Sequence, residues 1–253
     1  MTEKLFEVKN LSFSYHTLTG ETKVLNHISF DVGYGEFVSI VGPSGCGKST
    51  LLSLIYGMLT PTSGEIVFAD NKPPKMGYML QRDHLLNWRT IYKNTILGLE
   101  INRLLTPENI AYVNKLIDEY GLSEFKEKKP NELSGGMKQR VALIRTLALK
   151  PEILLLDEPF SALDFQTRLI VSKDISDIIR KEHKTAILIT HDISEAIRLS
   201  DKVIVLSNRP ATLKTSMSIF LSGLNSSPLS YLEAPEYASY FNKLWEDIRY
   251  EED

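Results

Sequence analysis

The sequence predicts an α/β fold in which a core of strands and helices is interrupted by a helical insertion. A glycine-rich loop at 42–49 lies between an apolar strand and a helix. A second apolar strand ends in the adjacent acids Asp157 and Glu158. Near residue 84 the spacing of apolar residues changes from strand-like to helix-like. A chain of 253 residues suits one large domain with an inserted subdomain.

Short β-rich segments dominate the first part of the chain. Glycines at 20, 33, 35 and 64 separate them, and a polar loop is expected at 16–23. The predicted strands are 5–8, 11–15, 28–32, 37–41, 65–69 and 76–80.

Helical periodicity then takes over, and 84–150 is interpreted as a mostly helical insertion. Thr106 and Pro107 predict a helix start, as N-cap and first helical residue. Gly121 predicts the end of that helix. A second helix is expected to begin at Ser134 and to run to about residue 149.

Strands and helices alternate again beyond residue 150, with a long helix expected at 163–181. The predicted strands are 152–156, 186–190 and 203–206. Unbroken apolar runs are typical of strands buried on both faces, so the alternation predicts a parallel sheet covered by helices. The α/β core is therefore expected at about 1–83 and 151–210.

The segment 211–253 is expected to form a tail with a short helix packed on the core. An amphipathic helix is predicted at 235–248. Its apolar face is assigned to packing rather than to a ligand or a partner, and consists of Tyr237, Phe241, Leu244 and Ile248.

The loop at 42–49 matches the phosphate-loop pattern GxxxxGK[ST]. Its glycines let successive N–H groups point at one anion, and the following helix adds its positive end. Lys48 would reach the β- and γ-phosphates, and the Ser49 hydroxyl would hold Mg²⁺. The candidate ATP-binding residues here are Gly42, Pro43, Ser44, Gly45, Cys46, Gly47, Lys48, Ser49 and Thr50.

The acids Asp157 and Glu158 have specific uses beside a phosphate loop. A carboxylate at the end of a buried strand can hold Mg²⁺, usually through water. The next carboxylate can orient and deprotonate a water aimed at the γ-phosphate. Taken alone, the pair could also be two ordinary surface acids at a strand end.

Composition excludes several classes of protein. The net charge of −3 gives no basic field, so no nucleic-acid partner is expected. The single cysteine, Cys46, excludes an internal disulfide and fits a reducing compartment. No apolar run approaches the ~18 residues that span a bilayer, and the first residues lack a signal-peptide core. We expect a cytosolic protein whose membrane attachment comes through a partner.

The sequence LSGGMKQR at 133–140 narrows the class of phosphate-loop proteins to which the chain could belong. Ser134 is a natural N-cap, and Gly135 and Gly136 leave the helix start open to a second anion. With this motif between the phosphate loop and the acid pair, the chain resembles the ABC-type ATPases. The resemblance implies a P-loop NTPase core, namely a mixed sheet with flanking helices, an antiparallel β subdomain and an inserted α-helical subdomain. Residues 1–230 would form this single ATPase domain.

Further positions match the family one by one. Gln81 resembles its magnesium- and water-sensing glutamine, His191 its switch histidine at the γ-phosphate, and Tyr15 its adenine-stacking aromatic. Without the family, these would be a strand-end polar residue, a helix-start residue and a core residue. The loop of Ser161, Ala162, Leu163 and Asp164 matches the one that contacts the partner subunit. The resemblance implies Glu158, Lys48, His191 and Gln81 as catalytic, and Ser49, Gln81 and Asp157 as metal ligands.

The extended motifs look like those of the nitrate/sulfonate/taurine importers, although Asn87 and Ser161 depart from the usual Pro and Gly. The resemblance implies an ATP-hydrolysing importer subunit that uses ATP and Mg²⁺, with aliphatic sulfonate, taurine or nitrate as cargo. The alternative cargoes are a thiamine-pyrimidine precursor or another small solute. The alternative function is that of an ABC-type ATPase that takes no part in transport. Each ATP of a head-to-tail homodimer would lie between one copy's phosphate loop and Ser134, Gly135 and Gly136 of the other.

The implied partners place the protein at the cytoplasmic face of the cell membrane, as a peripheral subunit. They are two integral-membrane permease subunits and, indirectly, an extracytoplasmic solute-binding protein. The permease contact is expected near 81–105, with Leu85, Leu86 and Trp88 as candidate sockets.

Overall fold

The computed structural model describes residues 3–17, 20–223, 227 and 229–249. Its strands form a three-stranded sheet of order β2-β1-β4 and a six-stranded sheet of order β5-β6-β7-β3-β8-β9. The strands are β1 (Lys4–Thr17), β2 (Gly20–Gly33), β3 (Phe37–Val41), β4 (Ser63–Phe68), β5 (Met76–Met79), β6 (Ile153–Asp157), β7 (Thr185–Ile189), β8 (Lys202–Leu206) and β9 (Leu213–Ser218).

Helices cover the large sheet and build the inserted region. They are α1 (Lys48–Tyr56), α2 (Ile91–Thr95), α3 (Leu97–Ile101), α4 (Pro107–Glu119), α5 (Gly135–Leu147), α6 (Phe165–Lys181), α7 (Ile193–Leu199) and α8 (Tyr237–Arg249). Short 3₁₀ turns lie at Ser123–Phe125, Pro130–Glu132 and Ser230–Glu233.

The six-stranded sheet is mixed. Strands β5, β6, β7, β3 and β8 pair in parallel, and β9 pairs antiparallel with β8. Every residue of β3 and β7 is buried, as the unbroken apolar runs predicted. Together with the separate antiparallel sheet, this arrangement confirms the predicted α/β class.

The antiparallel sheet corrects two predictions. The expected strands 5–8 and 11–15 are one strand, β1, whose register shifts between Val8 and Leu11. Asn10 takes a positive φ of 48° there, so the strand continues through a local irregularity. Within the expected polar loop at 16–23, the residues that the structure describes belong instead to a β-hairpin, in which Tyr15 pairs with Thr22. Residues 18 and 19 of that expected loop lie outside the described part of the chain. Backbone pairing stabilises this hairpin. Its exposed polar residues lack the alternation of apolar and polar side chains by which a strand is predicted from sequence.

In the inserted region the predicted caps are present. The Thr106 hydroxyl accepts a hydrogen bond from the Asn109 N–H at 3.2 Å, and Pro107 is the first residue of α4. Gly121 follows the helix with a φ of +68°, a conformation that favours glycine. The short helices α2 and α3 have no counterpart among the predicted elements.

Helix α8 packs against the large sheet and α7. Leu244 is completely buried in a cluster with Val41, Ile197 and Val205. Tyr237, Phe241 and Ile248 lie half-buried around it. The tail helix therefore covers apolar surface at the β8 side of the sheet.

Candidate nucleotide site

Three neighbouring parallel strands end at one edge of the sheet. Ile189 pairs with Asp157 on one side and with Ile40 on the other. Because carboxyl ends of parallel strands share an edge, the segments after β3, β6 and β7 meet there. These segments carry the phosphate loop, the acid pair and His191.

The phosphate loop has the backbone that an anion site requires. Gly47 precedes α1 with a φ of +119° and gives the helix no side-chain cap. A Cβ on Gly47 would lie 2.6 Å from Val24 Cγ1, so only glycine fits. The uncapped N–H groups of α1 are thus available to an anion.

Lys48 closes the loop from inside. Its ammonium donates hydrogen bonds to the carbonyl oxygens of Gly42, at 2.8 Å, and Pro43, at 2.9 Å. Cys46 is buried and belongs to the hydrophobic core, whereas Ser44 and Gly45 form the exposed tip. The loop therefore has a packed base and an accessible rim.

Asp157 receives two hydrogen bonds at the end of β6. The Ser49 hydroxyl donates to Oδ1 at 2.9 Å, and the Tyr78 phenol donates to Oδ2 at 3.2 Å. Burial raises the pKa of Asp157 and the charge of Glu158 adds to this, while the two hydrogen bonds act in the opposite direction. Burial and the charge of Asp157 also raise the pKa of Tyr78, so its phenol keeps the proton it donates.

A second cluster surrounds the Glu158 carboxylate. His191 Nδ1 lies 3.3 Å from Glu158 Oε2, and the Gln81 amide nitrogen lies 3.4 Å from the same oxygen. The Gln81 amide also donates to Ser161 Oγ at 3.3 Å. Glu158 itself has a φ of +45°, which is uncommon for a residue with a side chain. Strained backbone of this kind is concentrated at functional sites.

The residues of the 133–140 motif lie at the start of α5. Ser134 caps the helix, since its hydroxyl accepts from the Met137 N–H at 3.3 Å. A Cβ on Gly135 would lie 3.0 Å from Leu163, and one on Gly136 would lie 2.8 Å from Val171. The glycines therefore let this helix start pack closely against the 161–164 loop and α6.

Within the 161–164 loop, the side chains divide between interior and surface. Leu163 is buried, whereas Ala162 and Asp164 are exposed. Asp164 caps α6, and the hydrogen bonds from Thr167 hold the pKa of its carboxyl below the usual range. Ala162 and Asp164 are thus available to another molecule.

Tyr15 lies on β1 beside the phosphate loop. Its hydroxyl is 3.3 Å from the Thr50 hydroxyl, and its ring meets Phe13 edge-on. The ring is 43% exposed, so it is a surface aromatic rather than a core residue.

Residues 81–105 carry several exposed apolar side chains, among them Trp88 at 75% and Ile101 at 72%. Leu85, by contrast, is buried in the core, so the expectation that it forms a socket is wrong. Leu86 is half-buried. The Asn94 amide holds this segment by accepting from the Leu86 N–H and donating to the Leu86 carbonyl.

Sequence reasoning missed Tyr78 and Arg168. Tyr78 reaches Asp157 because β5 pairs with β6 in parallel, and that pairing leaves no local signal in the sequence. Arg168 lies on α6 and contacts the turn after β7, far away in the sequence.

The sheet edge, the phosphate loop and the acid pair define the class of protein as a P-loop nucleoside triphosphatase. The profile of the ABC transporter family matches residues 25–161. The chain belongs to this family, and it is an ABC-type ATPase.

Several relatives align over nearly the whole chain. The ABC transporter ATP-binding protein YtlC of Bacillus subtilis is 41% identical over 245 residues, which are 95% of this chain and 94% of the relative. The nitrate import ATP-binding protein NrtD of Synechocystis is 37% identical, covering 94% of this chain and 92% of the relative. The taurine import ATP-binding protein TauB of Roseobacter denitrificans is 34% identical, covering 94% and 93%.

Solved structures show the same fold. The dimeric post-hydrolysis ATP-binding cassette MJ0796, bound to ADP and Pi, superposes with a TM-score of 0.70 at 29% identity. The match covers 85% of this chain and 99% of that one. Across the part of this chain that the structure describes, no helix is both long and apolar enough to cross a bilayer.

The partial burial of Asp157 predicts that its charge destabilises the folded state in a pH-dependent way. Because the pKa is raised in the folded state, the neutral carboxyl favours folding at low pH, and this contribution is lost as pH rises through the folded-state pKa. Without nucleotide, Asp157→Asn should raise the melting temperature at pH 7–8, and the gain should shrink as the pH falls through the raised folded-state pKa and vanish below the unfolded-state value of ~4. Thermal scans across pH test this.

The matched control for this variant is Asp70→Asn, at an exposed turn position, which should leave the melting temperature unchanged. A lower melting temperature for Asp157→Asn at pH 8 would show that the hydrogen bonds to the charged carboxylate outweigh its burial.

Proposed function

We propose that this chain energises uptake of a small oxyanion or sulfonate by hydrolysing ATP as a head-to-tail homodimer. The observation that carries the proposal is the arrangement of Gln81, Glu158 and His191 beside the phosphate loop. Family membership supports the assignment of the chain as the ATP-binding subunit of an import system, whatever its cargo.

Each residue at the sheet edge has a separate role in phosphoryl transfer. Lys48 and the loop N–H groups stabilise the negative charge of the β- and γ-phosphates. Glu158 orients a water for attack on the γ-phosphate and takes up its proton. His191 contacts the γ-phosphate, and Gln81 senses the water. Tyr15 stacks on the adenine.

The donor set at Asp157 fits Mg²⁺. The hydroxyl oxygen of Ser49 and the carboxylate oxygen of Asp157 are hard ligands, 2.9 Å apart. A cation there would offset the cost of burying the Asp157 charge. Ser49, Asp157 and Gln81 would hold the ion, which when bound neutralises phosphate charge. Among the described residues, no group of three or more His, Cys, Asp or Glu could hold a metal ion by itself.

The second half of each ATP site comes from the other copy. Gly135 and Gly136 leave the start of α5 without bulky side chains, so its N–H groups can bind the γ-phosphate of the partner's ATP. Ala162 and Asp164 face the partner beside it. ATP therefore favours the closed dimer, and loss of the γ-phosphate favours opening. The dimeric ADP-bound cassette supports this arrangement.

Permease subunits dock on the exposed apolar side chains of 81–105. Trp88, Ile101 and Leu105 are the candidates that the structure leaves accessible. This contact places the chain at the cytoplasmic face of the membrane, with a solute-binding protein acting on the outer side.

The cargo is proposed from the relatives. Two of them are named for nitrate and taurine import, and both align over more than nine-tenths of this chain. Nitrate, taurine or an aliphatic sulfonate is therefore preferred over a thiamine-pyrimidine precursor.

Glu158→Gln should lower the ATPase rate by about 10²–10⁴-fold, the range for a removed general base. The amide keeps the shape of the side chain, so ATP affinity should be retained. Steady-state phosphate release and fluorescent-nucleotide binding measure the two quantities. Normal turnover in this variant would remove Glu158 from the chemistry.

A mixing experiment tests the shared site. Lys48→Ala and Ser134→Glu should each abolish activity in a pure homodimer, by loss of phosphate contacts and by repulsion of the γ-phosphate. A mixed dimer contains one site with an intact Lys48 and an intact Ser134, so mixing should restore ATPase activity. Mixtures that stay inactive, although labelled subunits exchange, would contradict the head-to-tail arrangement.

Cargo is tested by uptake. Deletion of the chain should abolish uptake of labelled nitrate or taurine, and the wild-type chain should restore it whereas Glu158→Gln should not. Loss of uptake of a thiamine-pyrimidine precursor alone would replace the proposed cargo and leave the ATPase assignment standing.

A further inference from the structure

We infer that Arg168 is a positioning residue that couples the partner-facing loop 161–164 to the turn carrying His191. The inference rests on the proposed function, because it assigns a role to Arg168 within the ATPase site.

The guanidinium of Arg168 joins two segments that follow different strands. Its Nη2 donates to the Leu163 carbonyl at 3.0 Å, and its Nη1 lies 3.7 Å from Asp192 Oδ2. Asp192 is the residue directly after His191. A single side chain therefore connects the loop after β6 with the turn after β7.

The turn itself is firmly held around Asp192. The Asp192 N–H donates to the Thr190 hydroxyl at 3.0 Å, and Asp192 Oδ1 accepts from the Glu195 N–H at 3.1 Å. A force on the Asp192 carboxylate is thus carried to the backbone on both sides of His191.

The same two segments are also connected through the side chains proposed to act on ATP. Ser161 is within 3.3 Å of the Gln81 amide, which is 3.4 Å from Glu158, and Glu158 is 3.3 Å from His191. A cavity of about 10 Å³ lies beside these groups, and Glu158, Ser161, Arg168, His191 and Asp192 are among the residues that line it.

Helix stability does not explain Arg168. It lies in the first turn of α6, where the helix dipole disfavours a cation. Its Nε atom is buried without a hydrogen-bond partner, which adds a cost. Burial raises the pKa of Glu195, whereas the charge of Arg168 acts to lower it. The contacts of Arg168 with the loop and the turn offset these costs. Through these contacts, a movement of Leu163 in the dimer is transmitted to His191.

Arg168→Gln and Asp192→Asn test the coupling. Both remove the charge pair, and Asn still caps α7. Each should lower kcat at least tenfold, with the Kd for ATP unchanged within about twofold. Because both break one link, the double variant should be no slower than the worse single variant. Arg168→Lys keeps the charge but makes fewer bonds, so it should recover part of the rate.

The matched control is Arg180→Gln on the same helix, which removes a guanidinium bonded to the Asp201 carboxylate and the Leu199 carbonyl. It should leave kcat unchanged. In a Glu158→Gln background, Arg168→Gln should still give an ATP-dependent dimer, because the loss lies after assembly. If that dimer does not form, Arg168 only holds the 161–164 loop in the shape needed for assembly. That result would overturn the proposed coupling.

The outcomes separate the two proposals. A wild-type chain without ATPase activity would overturn the proposed function. An active wild type with an equally active Arg168→Gln variant would overturn only the coupling. Additive losses of rate in the double variant would also overturn it, since the two residues would then act independently.

Discussion

Parallel pairing of β3, β7 and β6 is the constraint on which the site depends. The register that sets Ile189 between Ile40 and Asp157 brings three distant segments to one edge. Their strands are buried on both faces, so a slip in register would displace a hydrophobic core as well as the site. The apolar core thereby fixes polar atoms that make few contacts of their own.

That edge carries groups whose burial or backbone geometry is unfavourable in isolation. Asp157 is a carboxylate whose pKa burial raises, and Glu158 has a left-handed backbone. Such features persist when surrounding packing over-determines them. Here the fully buried strands β3 and β7 supply the packing, and the donors Ser49 and Tyr78 stabilise the Asp157 charge in part. A nucleotide-bound cation would compensate further, which links the stability of the edge to its proposed ligand.

Local motifs made the fold class and the candidate residues predictable, because the phosphate loop, the caps and the buried strands each leave a short pattern. Thr106 and Pro107 are such a case, and their cap is present. The β1–β2 hairpin was missed because its exposed residues pair through the backbone and show no apolar alternation. Tyr78 and Arg168 were missed because their contacts depend on strand pairing and helix packing between distant segments.

Helix α5 connects the two surfaces that the proposed function requires. Ser134 caps its start, and near its end Arg145 donates to the carbonyls of Asp83 and His84, at the beginning of the segment proposed to face the permease. The 13 residues of α5 span about 20 Å as a rigid element. Arg145 is half-buried and holds two successive carbonyls, so the end of the helix and the start of that segment are directly linked. One helix thus joins the proposed ATP contact at Ser134 to the start of the proposed membrane contact.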